Sequence, residues 1–216
     1  MEIDALYHVR FQYREIENKR KLWKILCKHY FSKYINKNDC VLDLAAGYCE
    51  FINNIEAAEK IAVDINPDIM NHAAPGVRVV KAKSSQMDKI KPNSVNVVFI
   101  SNFFEHISKE EIVLTLNECK RILTGGGKII ILQPNIKYVG AAYWDFFDHH
   151  TPLTDKSIKE ALELTGFHVD KTISKSLPYT TKSKIPQLSW LVKLYIYMPI
   201  AWKIMGKQSL VIAKKK

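Results

Sequence analysis

Short apolar runs alternate along the chain with longer segments in which apolar residues recur every three or four positions. Continuous short runs are typical of strands buried on both faces, and the longer spacing is typical of amphipathic helices. The predicted strands are residues 39–44, 61–64, 77–80, 95–100, 128–132, 167–174 and 210–213. The predicted helices are residues 6–35, 50–55, 110–123 and 155–165, the third stopped by the glycines 125–127. This alternation predicts an α/β fold in which helices cover both faces of a mostly parallel sheet.

The length of 216 residues suits one α/β domain with a well-buried core and is too short for two. The sequence contains no internal repeat, low-complexity tract or interdomain linker. We therefore predict a single domain, residues 1–216, with four parts. They are a helical cap (1–37), a ligand-binding core (38–135), an aromatic loop (136–155) and a C-terminal part (156–216) that contains a helical insertion (186–206).

The amino-acid composition gives the chain a positive net charge. Lys and Arg number 32 against 22 for Asp and Glu, which gives a formal net charge of +10. The surplus favours anionic partners such as nucleic acid, phosphorylated metabolites or an anionic membrane surface, and it fits a solvated lysine-rich surface equally well. The four cysteines show no paired spacing, which argues against a disulfide framework or zinc knuckle and favours a reducing cytoplasm.

Targeting and membrane-spanning segments are not predicted. The first residues, 1–4, lack the basic and apolar blocks of a signal peptide. The apolar stretch 188–205 is interrupted by Lys193, Pro199 and Lys203, so it is a poor membrane span. Its aromatic, apolar and basic residues leave two alternatives: helices packed on the domain, which we favour, or transient contact with a membrane surface.

A tight turn of small residues follows the first predicted strand. Ala45-Ala46-Gly47 leads into a helix, so a ligand can approach the backbone and the unpaired amide groups of the helix N-terminus. Asp64 ends the next strand, 21 residues after Asp43, where a carboxylate can accept hydrogen bonds from ribose hydroxyls. Only Gly47 is a glycine in this turn, so a pyrophosphate would be poorly held. A nicotinamide-dependent oxidoreductase is therefore disfavoured.

In order along the chain, five segments resemble motifs of the class I S-adenosylmethionine-dependent methyltransferases, of the compact bacterial stand-alone type. They are 41–51, 62–67, 93–107, 118–128 and 164–167. The resemblance implies a doubly wound, mostly parallel seven-stranded sheet with an antiparallel last strand (210–213). It implies S-adenosyl-L-methionine as cofactor and S-adenosyl-L-homocysteine as product. It further implies cofactor contacts from Asp43, Ala45, Gly47, Asp64, Ile65, Asn66, Ser84, Ser85, Ser101, Asn102 and His106.

The chain departs from the family pattern at a few positions. Ala45 and Cys49 stand where the family usually has glycine. Lys83 stands near an aspartate that often contacts the adenine, which leaves Ser84 or Ser85 as substitutes. Asn96 replaces a frequent aspartate at a position that is usually structural. We expect cofactor binding to survive these changes.

An aromatic segment, residues 143–150, follows the fifth strand on the side where ligands gather in parallel sheets. Methyl transfer needs alignment of the acceptor, and also a general base when the acceptor is a hydroxyl. We expect His149 or His150 to be this base, oriented by Asp145 or the adjacent Asp148. The alternative is that one histidine packs the loop and the aromatic residues form a lid. A divalent metal at these histidines is disfavoured, and we predict no metal site.

These features favour an O-methyltransferase that acts on a small molecule or on a sugar or glycan precursor. An RNA methyltransferase is an alternative that the positive charge supports, although the basic residues are scattered and no RNA-binding module is visible. A further alternative is a noncatalytic binding protein that kept the fold, for which the Ala45 and Cys49 departures are the main support.

Overall fold

Strands and helices alternate in the computed structural model, which describes residues 13–178 and 189–216, with side chains from residue 17. The strands are β1 (Cys40–Leu44), β2 (Glu59–Asp64), β3 (Val77–Lys81), β4 (Val95–Ser101), β5 (Leu123–Pro134), β6 (Phe167–Ile173) and β7 (Gln208–Lys215). The α-helices are α1 (Tyr13–His29), α2 (Glu50–Asn54), α3 (Ile69–His72), α4 (Lys109–Ile122), α5 (Ile136–Val139), α6 (Asp155–Leu164), α7 (Ser189–Tyr197) and α8 (Pro199–Met205). Short 3-10 helices cover Phe31–Lys33, Phe104–His106 and Gly140–Asp145.

The strands form one seven-stranded sheet in the order β3-β2-β1-β4-β5-β7-β6. Strands β1 to β5 pair in parallel, whereas β7 is antiparallel to both β5 and β6. This confirms the predicted doubly wound sheet with an antiparallel last strand. The chain runs outward from β1 to β3 and then returns to the other side of β1 as β4. Ligands of open α/β sheets bind at the carboxyl ends of the strands at such a reversal.

The fifth strand differs from the prediction. It begins at Leu123, directly after α4 ends, so the glycines 125–127 lie within β5 and do not follow the helix as a turn. Val95 pairs with Leu123 and Val97 with Lys128, so the residues between Leu123 and Lys128 bulge from the ladder. Gly126 has a φ of 74° in this bulge, a conformation that glycine adopts readily.

The two predicted helical regions outside the core also differ in detail. Helix α1 ends at His29, before the predicted limit of residue 35, and residues 1–12 lie outside the described part of the chain. The predicted insertion 186–206 contains two helices, α7 and α8, and its first residues, 186–188, lie outside the described residues. Within the described residues, none of the helices combines the length and apolarity needed to cross a bilayer.

Apolar residues cover both faces of the sheet. Helices α4 and α6 pack on one face, and α1, α2 and α7 pack on the other. On the second face, the rings of Phe51 in α2 and Phe99 in β4 stack with centroids 3.6 Å apart. Trp23 of α1 packs edge-on against both rings. This aromatic cluster fixes α1 beside the turn that follows β1.

Candidate active site

The turn between β1 and α2 places three alternate residues in the left-handed backbone region. Ala45, Gly47 and Cys49 have φ values of 56°, 51° and 59°. Two of these positions are the ones at which the resembling family usually has glycine. Left-handed backbone costs a residue with a Cβ about 1–2 kcal/mol. The chain therefore keeps the geometry of a glycine turn although two of the three residues carry a Cβ.

Asp64, at the end of β2, holds this turn in place. Its Oδ2 accepts a hydrogen bond from the backbone N–H of Gly47 at 2.9 Å, and its Oδ1 accepts one from Asn66 at 2.9 Å. A carboxylate offers about four acceptor positions, so each oxygen can accept a further hydrogen bond. Ile65 beside it is 47% exposed and offers an apolar surface. These residues fit an adenosine group, with hydroxyls at the carboxylate and the base on the apolar side chain.

Asp43 lies within the core at the start of this turn. It is buried, and burial together with the negative charge of Glu50 raises the pKa of its carboxyl well above the usual range. Glu50 opens α2 and forms an ion pair with Lys19 of α1 at 3.0 Å. The Asp43 carboxyl also accepts a backbone hydrogen bond from Ile52, so it contacts α2 from inside the protein. Lys19 is a residue of this region that the sequence does not reveal, because its helix is distant along the chain.

Two predicted cofactor contacts are engaged elsewhere. The hydroxyl of Ser84 lies 2.8 Å from that of Thr115, and the hydroxyl of Ser85 donates to the carboxylate of Glu111. Both partners belong to α4. The structure therefore gives no support to an adenine contact through either hydroxyl.

The end of β4 carries the next predicted residues. Ser101 Oγ accepts a hydrogen bond from the side-chain amide of Asn102 at 3.0 Å. Asn102 is exposed and has a φ of 49°, so the chain turns sharply where the strand ends. Asn96, earlier in β4, accepts a hydrogen bond from the backbone N–H of Cys40 at 2.8 Å, which is the structural role expected for that position.

Ionisable side chains meet where the chain leaves β4. His106 Nδ1 donates to Asp148 Oδ2 at 3.0 Å, and its Nε2 lies 3.9 Å from Oε1 of Glu105. Glu105 is 1% exposed, and its Oε2 accepts a hydrogen bond from Gln133 at 2.6 Å. Burial raises the pKa of the Glu105 carboxyl. Ligand-type atoms of Glu105, His106 and His149 lie within 4.8 Å of one another, so this cluster can exchange a proton or receive a cation.

Backbone hydrogen bonds join the aromatic segment to the residues after β4. The carbonyl of Glu105 accepts hydrogen bonds from the backbone N–H groups of His150 and Thr151, at 3.1 and 3.2 Å. The Thr151 hydroxyl donates to the carbonyl of Ile107 at 2.6 Å. These bonds hold His106 and Asp148 together although they are 42 residues apart in the chain.

The histidines predicted as the base have other contacts. His149 is buried, and its Nδ1 donates to the carbonyl of Tyr143 at 2.9 Å. His150 is exposed, and its Nε2 donates to the carbonyl of His106 at 2.9 Å. Asp145 is exposed at the end of a 3-10 helix, whereas Asp148 is the carboxylate that pairs with a histidine. Asp148 therefore orients His106, and the expectation that Asp145 orients His149 or His150 stays a prediction.

The sequence predicts His106 as a cofactor contact and not as the partner of Asp148. A signal for the pair is nevertheless present. Polar residues follow both β4 and β5, which are neighbouring parallel strands whose carboxyl ends meet at one edge of the sheet. What the sequence does not contain is the pair of backbone hydrogen bonds that brings the two segments into contact.

Comparisons with known proteins agree with this geometry. Residues 42–131 match a family model described as a methyltransferase domain. No curated protein sequence matches the chain. A solved methyltransferase from Archaeoglobus fulgidus is similar, with 23% identity, a TM-score of 0.68, and coverage of 94% of this chain and 100% of that one. A Thermotoga maritima methyltransferase is similar with 16% identity and a TM-score of 0.69. The similarity covers 94% of this chain and 93% of that one.

A third similar structure is a Haloferax volcanii methyltransferase solved in complex with the Trm112 activator. Its sequence is 16% identical and the TM-score is 0.66. The similarity covers 94% of this chain and 92% of the Haloferax chain. At these identities the structures show a shared fold, and that fold extends over nearly the whole chain. The chain therefore contains a methyltransferase domain at its centre, and over nearly its whole length it has the fold of the S-adenosylmethionine-dependent methyltransferases to which it is similar.

Proposed function

We propose that this enzyme methylates a hydroxyl oxygen of a small molecule or of a sugar or glycan precursor. When bound, S-adenosylmethionine supplies a methyl group that is already activated by its sulfonium. The acceptor oxygen forms a bond to the methyl carbon, the carbon–sulfur bond breaks, and the hydroxyl proton must be taken up. The residues of the protein therefore have two tasks, which are to align the acceptor and to receive its proton.

The observation that carries this proposal is the His106–Asp148 pair after β4. Because Nδ1 donates to the carboxylate, the lone pair of a neutral ring lies on Nε2, which can accept a proton. Asp148 orients the ring and stabilises the imidazolium that forms. The side chain of His106 is 25% exposed, so an acceptor can reach the ring. His106 is therefore the proposed general base.

The histidines of the aromatic segment position this base. His149 packs edge-on against the His106 ring, with centroids 4.8 Å apart, and His150 binds the His106 backbone carbonyl. Trp144 and Phe147 of the same segment are exposed by 54% and 90%. We propose that these two aromatic side chains form the rim of the acceptor pocket, since they offer apolar surface next to the base.

The proposed cofactor contacts come from residues at the carboxyl edge of the sheet. We propose that Asp64 accepts hydrogen bonds from both ribose hydroxyls and that Ile65 packs against the adenine. The backbone of the turn at Gly47 would lie close to the cofactor. Ser101 and Asn102, at the end of β4, would lie near its methionine end. The support is that all these residues end or follow the adjacent strands β1, β2 and β4.

The proposal is tested by measuring S-adenosylhomocysteine formation with a panel of acceptors: phenols, sugars, nucleotide sugars, amines and bulk RNA. We expect turnover with a hydroxyl acceptor. With that acceptor, His106→Asn should lower kcat by about 10²–10⁴-fold, the usual contribution of a general base, and leave the Kd of S-adenosylmethionine within about threefold. Turnover only with RNA or only with amines would contradict the proposal.

Two controls separate the proposed base from its alternatives. His150→Ala removes the exposed neighbouring histidine and should leave kcat within about tenfold of the parent, since it does not take the proton. Treatment with a chelator should leave kcat unchanged, because proton transfer to His106 needs no cation. A kcat that His106→Asn leaves intact, or that chelation abolishes, would show that the ring is not the base.

A further inference from the structure

Helices α7 and α8 carry a concentrated apolar surface. Half of the large apolar side chains that are exposed in the described chain lie between residues 190 and 205. They are Trp190, Leu194, Tyr197, Met198, Ile200, Ile204 and Met205, with exposures from 41% to 78%. Single exposed apolar residues are ordinary on a protein surface, whereas contiguous ones mark a contact surface. We call these seven side chains the apolar face.

The apolar face belongs to helices that are firmly attached to the domain. On their other side, Ile196 is buried in the core, and Tyr195 and Trp202 pack against it. The Tyr195 hydroxyl donates to the carbonyl of Ser176 at 2.6 Å, and Trp202 Nε1 donates to the carbonyl of Tyr195 at 2.7 Å. The face is therefore an outward surface of packed helices and not the inner side of a displaced segment.

Lysines lie on the helices that carry the apolar face, Lys193 in α7 and Lys203 in α8, and Lys33 lies beside Tyr197. After Asp170 the sequence contains ten lysines and no acidic residue. In the structure, Lys33 Nζ lies 5.0 Å from the centroid of the Tyr197 ring. Partial burial, Lys193, Lys28 and Lys33 together lower the pKa of His29, which contacts the same Tyr197. Apolar side chains rimmed by lysines complement an anionic phospholipid surface, where the lysines meet headgroups and the apolar groups enter the acyl boundary.

The helices that carry the apolar face are inserted at the edge of the sheet where the candidate active site lies. The insertion leaves β6 at Ile173 and enters β7 at Gln208, which pairs with Pro134 at the carboxyl end of β5. The backbone N–H of Asn135, the next residue, donates to the carbonyl of Lys207 at 3.0 Å. The parallel strands that deliver the cofactor and base residues end at this edge too.

We propose that the apolar face docks on an anionic phospholipid membrane and that the enzyme meets there an acceptor carried on a lipid. The docking itself rests only on the surface and its charges, whereas the identity of the acceptor rests on the proposed function. Docking through these helices attaches the domain to the membrane by the segment that joins the carboxyl edge of the sheet. A hydroxyl presented by a lipid-linked acceptor is then delivered to the side of the protein where His106 lies.

The test is cosedimentation of the full chain with vesicles of phosphatidylcholine alone or mixed with phosphatidylglycerol. We expect binding to the anionic vesicles that falls with added salt, and at least about tenfold weaker binding to the neutral ones. The double substitution Ile200→Asp and Ile204→Asp should weaken binding to anionic vesicles by at least about tenfold, because it places carboxylates in the apolar face. Both residues are more than 70% exposed, so the fold should tolerate the change.

Leu164→Asp is the matched control, since Leu164 is 79% exposed on α6, next to the opposite end of β6. It should bind vesicles like the parent. Absence of binding to anionic vesicles, or equal binding by the double variant, would overturn the docking. A parent dimer that the double variant converts to monomers, without vesicle binding, would assign the face to a second copy of the chain and likewise overturn it. Transfer to water-soluble hydroxyl acceptors, measured on the same samples, reports the proposed function separately.

Discussion

Three residues with left-handed backbone shape the cofactor turn, and only one of them is glycine. Ala45 and Cys49 keep φ values near 60° because Asp64 and the packing of α2 fix the chain on both sides of Gly47. The conformation is thus imposed by the surrounding structure at these two positions, and not chosen by the residues themselves.

The role proposed for Asp64 can be measured by titration with S-adenosylmethionine. Hydrogen bonds to a charged group contribute about 1.5–3 kcal/mol, so Asp64→Ala should weaken cofactor binding by about 10–150-fold. Asp64→Asn keeps one acceptor oxygen and should weaken binding less. Asp68→Ala, which removes a carboxylate from the following turn, is the matched control and should bind like the parent. Unchanged affinity in a folded Asp64→Ala protein would exclude the ribose contact.

For single residues, the sequence predicts which side chains lie at the ends of strands. It does not predict which side chains from distant segments pair with each other. Asp64 can be predicted from its place at the end of a strand, whereas the structural role of Asn96 follows from the family resemblance. The His106–Asp148 pair depends on how residues 143–151 fold back over the end of β4. The spacing of residues within one segment does not predict such a contact between segments. The hydroxyls of Ser84 and Ser85 bond to side chains of α4, which short-range spacing does not show either, so their cofactor contact stays a prediction.

Among the elements, α1 reaches the cofactor turn from outside the sheet. It brings Lys19 to Glu50 and Trp23 to the aromatic rings of α2 and β4. The sequence predicts this helix from its periodicity, but not what it covers. For β5 the prediction was too short, because a run of glycines usually ends an element and here it forms a bulge within one.

Removal of the Trp23 ring should therefore loosen α1. Trp23→Ala should lower the free energy of unfolding in urea by about 2–4 kcal/mol, less than for a fully buried ring because Trp23 is half-buried. Trp190→Ala, which truncates an exposed tryptophan on α7, should change it by at most about 0.5 kcal/mol. Equal effects of the two substitutions would mean that the aromatic cluster does not secure the helix.

For the whole molecule, buried acids couple stability to pH. Burial and Glu50 raise the pKa of Asp43, so the folded protein holds a proton there that the unfolded chain has already released. This stabilisation is complete below the unfolded pKa of Asp and is lost as the pH rises through the folded pKa. The free energy of unfolding of Asp43→Asn, relative to that of the parent, should therefore increase from pH 5 to pH 8 when no cofactor is present.

Urea titrations of the two proteins across this range provide the measurement. A pH-independent difference between them would show that the carboxyl of Asp43 titrates alike in the folded and unfolded chains. Asp39→Asn, which removes a carboxylate that is not in the core, provides the reference for a general change in charge.

The position of β7 between β5 and β6 also constrains the order of events during synthesis of the chain. Strands β5 and β6 leave the ribosome before the strand that joins them. Until residues 208–215 follow, β5 has unpaired backbone groups along one side, and β6 has them along both sides. The nascent chain can assemble the parallel half of the sheet early, because β1 to β5 pair without β7. The antiparallel half closes only when translation reaches its central strand, so a ribosome that pauses before residue 208 holds a protein whose sheet is still open.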